Sequence, residues 1–247
     1  MSVTSNAEIV PRVHLLWLEA PEIAKAARPG QFVMVRCGSS HDPLLRRPLS
    51  IHRVAEAGRI ALLFAVAGRG TGWLSRRREG DLVDLLGPLG NGFSVQPTSR
   101  NLLLVAGGIG IAPLVLLAED GLNAGHSVTL LLGAQSASVL YPGSLLPPKA
   151  RLVITTEDGS EGRRGTAIDA IDDCADQADQ VFACGPVAMY RSMAAKECLM
   201  RKHVQVSLEM MMGCGLGACY GCATRTRKGI SMVCHDGPVF DLGDVIW

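Results

Sequence analysis

Four cysteines lie within twenty-one residues near the C-terminal end: Cys214, Cys219, Cys222 and Cys234, spaced C-x4-C-x2-C and then eleven residues to the last. No other feature restricts the chain as tightly. In a reducing compartment, thiols this crowded point to a metal centre and not to a disulfide framework. The first three match the spacing of plant-type [2Fe–2S] loops, with a fourth ligand downstream. Gly213, Gly215, Gly217 and Gly221 suit a loop that must bring backbone N–H groups up to sulfur. Structural zinc, which favours two C-x2-C arms, and inert buried thiols are the competing readings.

The rest of the chain is long enough for two ordinary domains beside this loop: 247 residues, 48% of them hydrophobic. The formal net charge of +1 supplies no global basic field, so nucleic acid is not an expected partner. The run Arg76-Arg77-Arg78 reads as solvated surface. Apolar stretches such as 102–106 and 128–132 are too short to cross a bilayer. The first residues, MSVTSNAEIVPRVH, lack a charged start followed by an apolar core, so the expectation is a cytoplasmic protein without a secretory signal.

Three segments differ in pattern. Residues 1–97 contain short strand-like runs (13–19, 31–37, 49–54, 59–66 and 81–86) punctuated by Pro29-Gly30, Gly58, Gly80 and Gly87-Pro88. Such closely spaced strands predict a small antiparallel β-barrel. Residues 98–205 alternate apolar strands (101–106, 128–132, 152–155, 181–184 and one at 204–208) with helical stretches at 167–178 and 187–202. This alternation predicts a parallel sheet covered on both faces. Residues 206–247 are rich in Met, Gly and Cys and read as the cluster-binding segment.

Two motifs in the first segment suit a phosphate-bearing ligand. Arg46-Arg47-Pro48-Leu49-Ser50-Ile51 opens a strand with a cation able to fork onto a diphosphate and a hydroxyl beside it. Gly68-Arg69-Gly70-Thr71-Gly72 follows a strand and precedes a helix, where backbone N–H groups can cradle a phosphate. Gly90-Asn91-Gly92-Phe93 reads equally well as a turn or as a cofactor contact. In the second segment, Gly108-Ile109-Gly110-Ile111-Ala112-Pro113 is G-x-G-x-x-P, not the Rossmann G-x-G-x-x-G, and no acidic ribose-binding residue ends the next strand. Cys184-Gly185-Pro186 ends a later strand, where open α/β sheets bind ligands. Between Gly133 and Tyr141 there is no Arg or Lys to hold a 2′-phosphate, so NAD is expected over NADP.

The barrel, the G-x-G-x-x-P turn and the C-G-P turn, in that order, resemble the ferredoxin–NADP reductase superfamily. Residues 45–51, 90–93, 107–113, 214–219 and Cys234-His235-Asp236-Gly237-Pro238-Val239-Phe240 together resemble the electron-transfer subunits of class B dihydroorotate dehydrogenase, over nearly the whole chain. The resemblance implies a Greek-key barrel that binds FAD through Arg47, Pro48, Leu49 and Ser50, through Leu63, Phe64 and Ala65, and through Gly70 and Thr71. Some members carry Tyr-Arg where this chain has Phe64-Ala65, which removes one possible phosphate or ribose contact. It further implies NAD(H) at Gly108, Gly110, Pro113, Gly185 and Pro186, with Cys184 beside the nicotinamide. A [2Fe–2S] cluster is implied on Cys214, Cys219, Cys222 and Cys234.

Hydride transfer moves two electrons and the cluster accepts one, so FAD is the converter between them. The resemblance implies that dihydroorotate is oxidised on a separate FMN-containing catalytic subunit, with two of each chain in a heterotetramer serving pyrimidine biosynthesis. A general NAD(P)H-dependent reductase serving a ferredoxin, a hydrogenase or a sulfur-reducing partner is the alternative. A redox-sensing module without a nucleotide site is disfavoured by the intact Gly108, Gly110, Pro113 and Cys184.

Overall fold

The computed structural model describes residues 1–38 and 43–247. Its first unit contains β1 (Ser2–Val10), β2 (Val13–Glu19), α1 (Pro21–Ala26), β3 (Phe32–Arg36), β4 (Arg47–Ala55), β5 (Arg59–Ala65), α2 (Arg69–Leu74) and β6 (Asp84–Leu89). The six strands are antiparallel in the order β1-β2-β5-β4-β3-β6. β3, β4 and β5 are consecutive neighbours and β6 returns beside β3, which is a Greek key. The sheet closes where Val3 N–H donates to Asp81 O and Val83 N–H to Met1 O, each at 2.9 Å. Closure removes the free edges that β1 and β6 would otherwise present. Buried Leu16, Leu18, Val33, Ile51, Leu62 and Phe64 fill the interior.

The second unit follows as β7 (Asn101–Gly107), α3 (Leu114–Asn123), β8 (Ser127–Ala134), β9 (Arg151–Thr156), β10 (Arg163–Arg164), α4 (Ile171–Ala175), β11 (Gln180–Cys184), α5 (Val187–Ala194) and β12 (His203–Ser207). Last come β13 (Ala223–Thr226), β14 (Gly229–Met232) and β15 (Val239–Asp241). The large sheet runs β10-β9-β8-β7-β11-β12-β15 and is parallel except for β15, which pairs antiparallel with β12. The cluster-bearing segment is therefore tied into the nucleotide sheet by its own last strand. The chain steps outward from β7 through β8 and β9, then returns to place β11 on the other side of β7. That reversal opens a crevice at the carboxyl ends of β7 and β11, where open α/β sheets bind ligands.

Several elements differ from the sequence pattern, which marked no strand at β10, β13, β14 or β15. The stretch 187–202 holds only the short α5 and a 3-10 turn at Glu197–Leu199. β1 escaped the strand pattern because its sequence, SVTSNAEIV, is mostly polar and only Val3 is buried. Among the described residues, no helix is long and apolar enough to cross a membrane.

Candidate functional site

A cleft of about 500 Å³ lies between the barrel, the nucleotide sheet and the segment leading to the cysteines. Pro48, Leu49 and Ser50 on β4 and Leu63, Phe64 and Ala65 on β5 form its barrel wall. Phe64 presents little surface to the cleft, because its ring stacks on His14 at 5.6 Å and is nearly fully buried. Ile109 and Ala112 form the opposite wall, and Ser207 to Met212 the third. The lining is mostly apolar with a few polar groups, Ser50, Ser207 and Glu209 among them, which suits a flat ring system.

Arg47, Gly70 and Thr71 continue this site beyond Ala67, which lines the cleft. Ala67 N–H donates to Thr71 Oγ1 at 2.9 Å. Arg47 lies directly on Gly70, since a Cβ built there would meet Arg47 Nε at 2.7 Å. The guanidinium donates to Leu45 O. A cation able to fork onto a diphosphate is thus held beside the turn that follows β5.

The two nucleotide motifs are packed back to back. Gly110 must be glycine, because a Cβ would stand 2.0 Å from Cys184 O. Gly107 and Gly185 also lie close together, a Cβ on Gly185 standing 3.2 Å from Gly107 Cα. Gly107, Gly110, Cys184, Gly185 and Pro186 therefore meet at the crevice between β7 and β11, whereas a Cβ on Gly108 would meet nothing within 4 Å. Tyr190 braces the turn: its hydroxyl accepts from Gly185 N–H at 2.9 Å and donates to Ser207 O at 2.7 Å. Cys184 is buried, and its sulfur lies 3.9 Å from Glu209 Oε1. Burial first, and the Glu209 carboxylate second, push the Cys184 thiol far above its usual pKa, so it is a neutral thiol at neutral pH. Loss of hydration likewise raises the Glu209 carboxyl, although part of that residue reaches solvent along the cleft.

The cysteine loop is arranged around sulfur. Leu216 N–H donates to Cys214 Sγ at 3.3 Å, Gly217 N–H to Cys234 Sγ at 3.1 Å, Gly221 N–H to Cys219 Sγ at 3.5 Å and Cys234 N–H to Cys222 Sγ at 3.4 Å. N–H groups from Leu216 and Cys219 hold Cys214 well below its usual pKa, whereas burial and then the neighbouring Cys222 push Cys234 up. Each of the four sulfurs thus accepts a backbone N–H. Among the described residues, no three His, Cys, Asp or Glu side chains converge closely enough for one metal ion. Four thiols that each accept a backbone N–H suit a two-iron, anionic core.

This loop is seated on the barrel. Gly215 has φ +76°, and a Cβ there would meet Met34 Cγ at 2.5 Å, so glycine lets the backbone lie on β3. Gly90-Asn91-Gly92-Phe93, open between two roles in the sequence, acts here as a clasp. Asn91 N–H donates to Gly237 O at 2.6 Å, and Asn91 Nδ2 donates to His235 O at 3.2 Å and to Asp236 O at 3.0 Å. The segment after Cys234 is thereby held by the barrel. Sequence motifs did not mark Phe32, Ile109, Ala112, Ser207, Glu209 or Met212 as cleft residues. Ile109 and Ala112 lay inside the G-x-G-x-x-P motif, and Glu209 and Met212 close to the cysteines, whereas Phe32 and Ser207 carried no signal.

Comparison with known proteins bears on this arrangement. Residues 209–246 match the family model described as the iron–sulfur cluster binding domain of dihydroorotate dehydrogenase B. The chain is 40% identical to the dihydroorotate dehydrogenase B (NAD(+)) electron transfer subunit of Desulforamulus reducens, over 97% of this chain and 94% of that one. It is 39% identical to the same subunit of a Geobacillus species, over 100% and 97%. Among solved structures, an NADH-dependent reduced ferredoxin–NADP oxidoreductase studied for flavin-based electron bifurcation superposes with TM-score 0.90 at 32% identity, covering 100% of this chain and 89% of that chain. Phthalate dioxygenase reductase shares the fold at TM-score 0.67 and 19% identity, over 94% and 92%.

Proposed function

Because this chain belongs to the electron-transfer subunits of dihydroorotate dehydrogenase B (NAD(+)), we propose that its cleft and its cysteine loop form one relay between NAD(H) and a catalytic subunit. Bound FAD supplies the conversion between a two-electron hydride and the single electrons carried by a [2Fe–2S] cluster. Residues 1–97 serve as the flavin unit, 98–205 as the nucleotide unit and 206–247 as the cluster unit.

The continuity of one segment carries this reading. Ser207 to Met212 line the cleft, and Cys214 follows two residues after Met212. In the proposed assignment, Pro48, Leu49, Ser50, Leu63, Phe64 and Ala65 orient the flavin ring, while Arg47, Gly70 and Thr71 bind its diphosphate. Gly108, Gly110, Pro113, Gly185 and Pro186 receive the nicotinamide nucleotide, and Cys184 stands beside its ring as a neutral thiol. Cys214, Cys219, Cys222 and Cys234 hold the cluster, and the buried Met212 keeps water from the path between them.

The partner is the FMN-containing catalytic subunit, with two of each chain in the complex. Met211 (90% exposed), Leu216 (55%) and Tyr220 (69%) lie on the same segment as the exposed Cys219 and leave apolar side chains available for that contact. The close superposition on an NADH-dependent ferredoxin–NADP oxidoreductase supports a second reading, a reductase serving a ferredoxin-like acceptor.

Reconstitution distinguishes the two. Alone, the holo-chain should reduce dyes with NADH but not oxidise dihydroorotate. Addition of the catalytic subunit should create dihydroorotate-dependent NAD+ reduction, which cluster loss abolishes while NADH-to-dye activity largely survives. Failure of the two proteins to associate, or association without coupling, would favour the ferredoxin-type reductase.

A further inference from the structure

One polar contact between barrel and nucleotide sheet has no exposure to solvent. His52, on β4 two residues beyond Ser50, is fully buried. Its Nδ1 is 2.9 Å from Ala112 O and its Nε2 is 3.0 Å from the Tyr141 hydroxyl. The chemistry of these partners fixes the protons. A carbonyl oxygen only accepts, so Nδ1 carries hydrogen and donates to Ala112. In the neutral ring Nε2 is then an acceptor, and the Tyr141 O–H donates to it. Burial, opposed by the bond to Ala112 and reinforced by Arg53, holds the ring at a pKa of about 4, so it is neutral near pH 7.

The surroundings do not otherwise call for histidine. Ile51, Leu116 and Leu140 are buried nearby in sequence or on the facing elements, and an apolar side chain would fill such a space without polar atoms to satisfy. What the imidazole adds is direction. It joins β4, whose residues 48–50 line one wall of the cleft, to Ala112, which lines the opposite wall in the G-x-G-x-x-P turn. Ala112 N–H in turn donates to Ile109 O at 2.9 Å, so the carbonyl that His52 grips belongs to a closed turn. The neighbouring Arg53–Glu119 ion pair, at 3.0 Å, spans the same joint but is partly solvent-exposed and less constraining.

We propose that His52 is a positioning residue that sets the separation of the flavin strand and the nucleotide turn, its tautomer fixed by Ala112 O and its Nε2 held by the Tyr141 hydroxyl. This inference rests on the cofactor assignment of the cleft. Hydride transfer needs the reacting atoms about 3–3.5 Å apart, and a shift of about 1 Å costs roughly a hundredfold in rate. A buried, two-ended hydrogen bond holds such a separation where sliding apolar contacts do not.

The test uses holo-protein bearing His52→Leu, His52→Asn or Tyr141→Phe, the Asn amide being able to donate to Ala112 as Nδ1 does. Two readouts are taken: the limiting rate of flavin reduction by NADH in stopped flow, and hydrogen–deuterium exchange of peptides spanning Gly108–Ala112. His52→Leu should slow reduction about tenfold or more at unchanged FAD content, with a smaller change in NADH affinity, and should speed exchange in the turn about tenfold. His52→Asn should return both to within about threefold of the parent, and Tyr141→Phe should fall between. Parental values for His52→Leu, or equal defects in His52→Leu and His52→Asn, overturn the proposal. If His52→Leu does not accumulate, Tyr141→Phe decides: parental rate and exchange overturn the proposal, and a defect in both supports it. A parent without bound flavin would instead refute the cleft assignment and leave the exchange comparison to judge the His52 contact.

Discussion

Toward the nucleotide sheet the barrel presents mainly apolar side chains around the His52 and Arg53 contacts, and toward the far end of the cluster segment it presents hydrogen-bonding groups. On the first side, Leu15, Ala61 and Leu63 share one core with Leu104, Leu114 and Leu117, and Phe93 meets Phe182 edge-to-face at 5.5 Å. On the second, Asn91 grips three consecutive carbonyls beyond Cys234, and Met34 underlies Gly215. The first joint is built from buried area and needs no cofactor. The second holds a loop whose interior is four sulfurs, so its rigidity depends on what those sulfurs ligate. One chain thus combines a joint that folding alone completes with a joint that metal completes.

The sharpest way to break this comparison is to remove a ligand. Cys219→Ser, assayed anaerobically, should lower iron and labile sulfide from about two of each per chain to near none. FAD content should hold, because the cleft walls on β4 and β5 do not depend on the loop. Parallel loss of FAD would show that the two joints are not independent, and stoichiometric zinc without sulfide would replace the cluster assignment.

A smaller effect is expected at the flavin end. Arg47→Ala removes the cation resting on Gly70 and should weaken FAD by about 1.5–3 kcal/mol, read as FAD release on dilution. Cluster content should not change. Retention as tight as in the parent would make Arg47 a surface charge.

The smallest effect should come from the clasp. Asn91→Leu keeps the main-chain bond to Gly237 O but loses both side-chain bonds, which are partly open to water. The expected cost is about 1 kcal/mol, or roughly fivefold faster cluster loss to an iron chelator. Flavin reduction by NADH should be unaffected. A slowed flavin step with an unchanged cluster would reverse the roles given to the two joints.

Much of the site was legible before the fold was known. Cys214, Cys219 and Cys222 lie within nine residues, so their ligand geometry is a local property of the loop. The G-x-G-x-x-P and C-G-P turns were legible for the same reason, since each marks a backbone course that only small residues permit. The meaning of Gly90-Asn91-Gly92-Phe93 was not legible, because Asn91 meets partners 144 and 145 residues away.

By itself, then, the order of residues determined the chemistry this protein can carry: thiols at cluster spacing, a cation beside a strand, two glycine turns, and strand periodicities that alternate or run continuous. Each depends on neighbours a few residues apart, whose reach the backbone limits to about 3.3–3.6 Å per residue. Tertiary structure alone decided which of these face one another. It brought Glu209 to Cys184, laid Met212 along the cleft, added β15 to the nucleotide sheet and buried His52 between Ala112 and Tyr141, 60 and 89 residues away. Contacts between distant segments leave no periodicity in the chain, because they are set by how whole sheets pack and not by any local preference of the residues that make them.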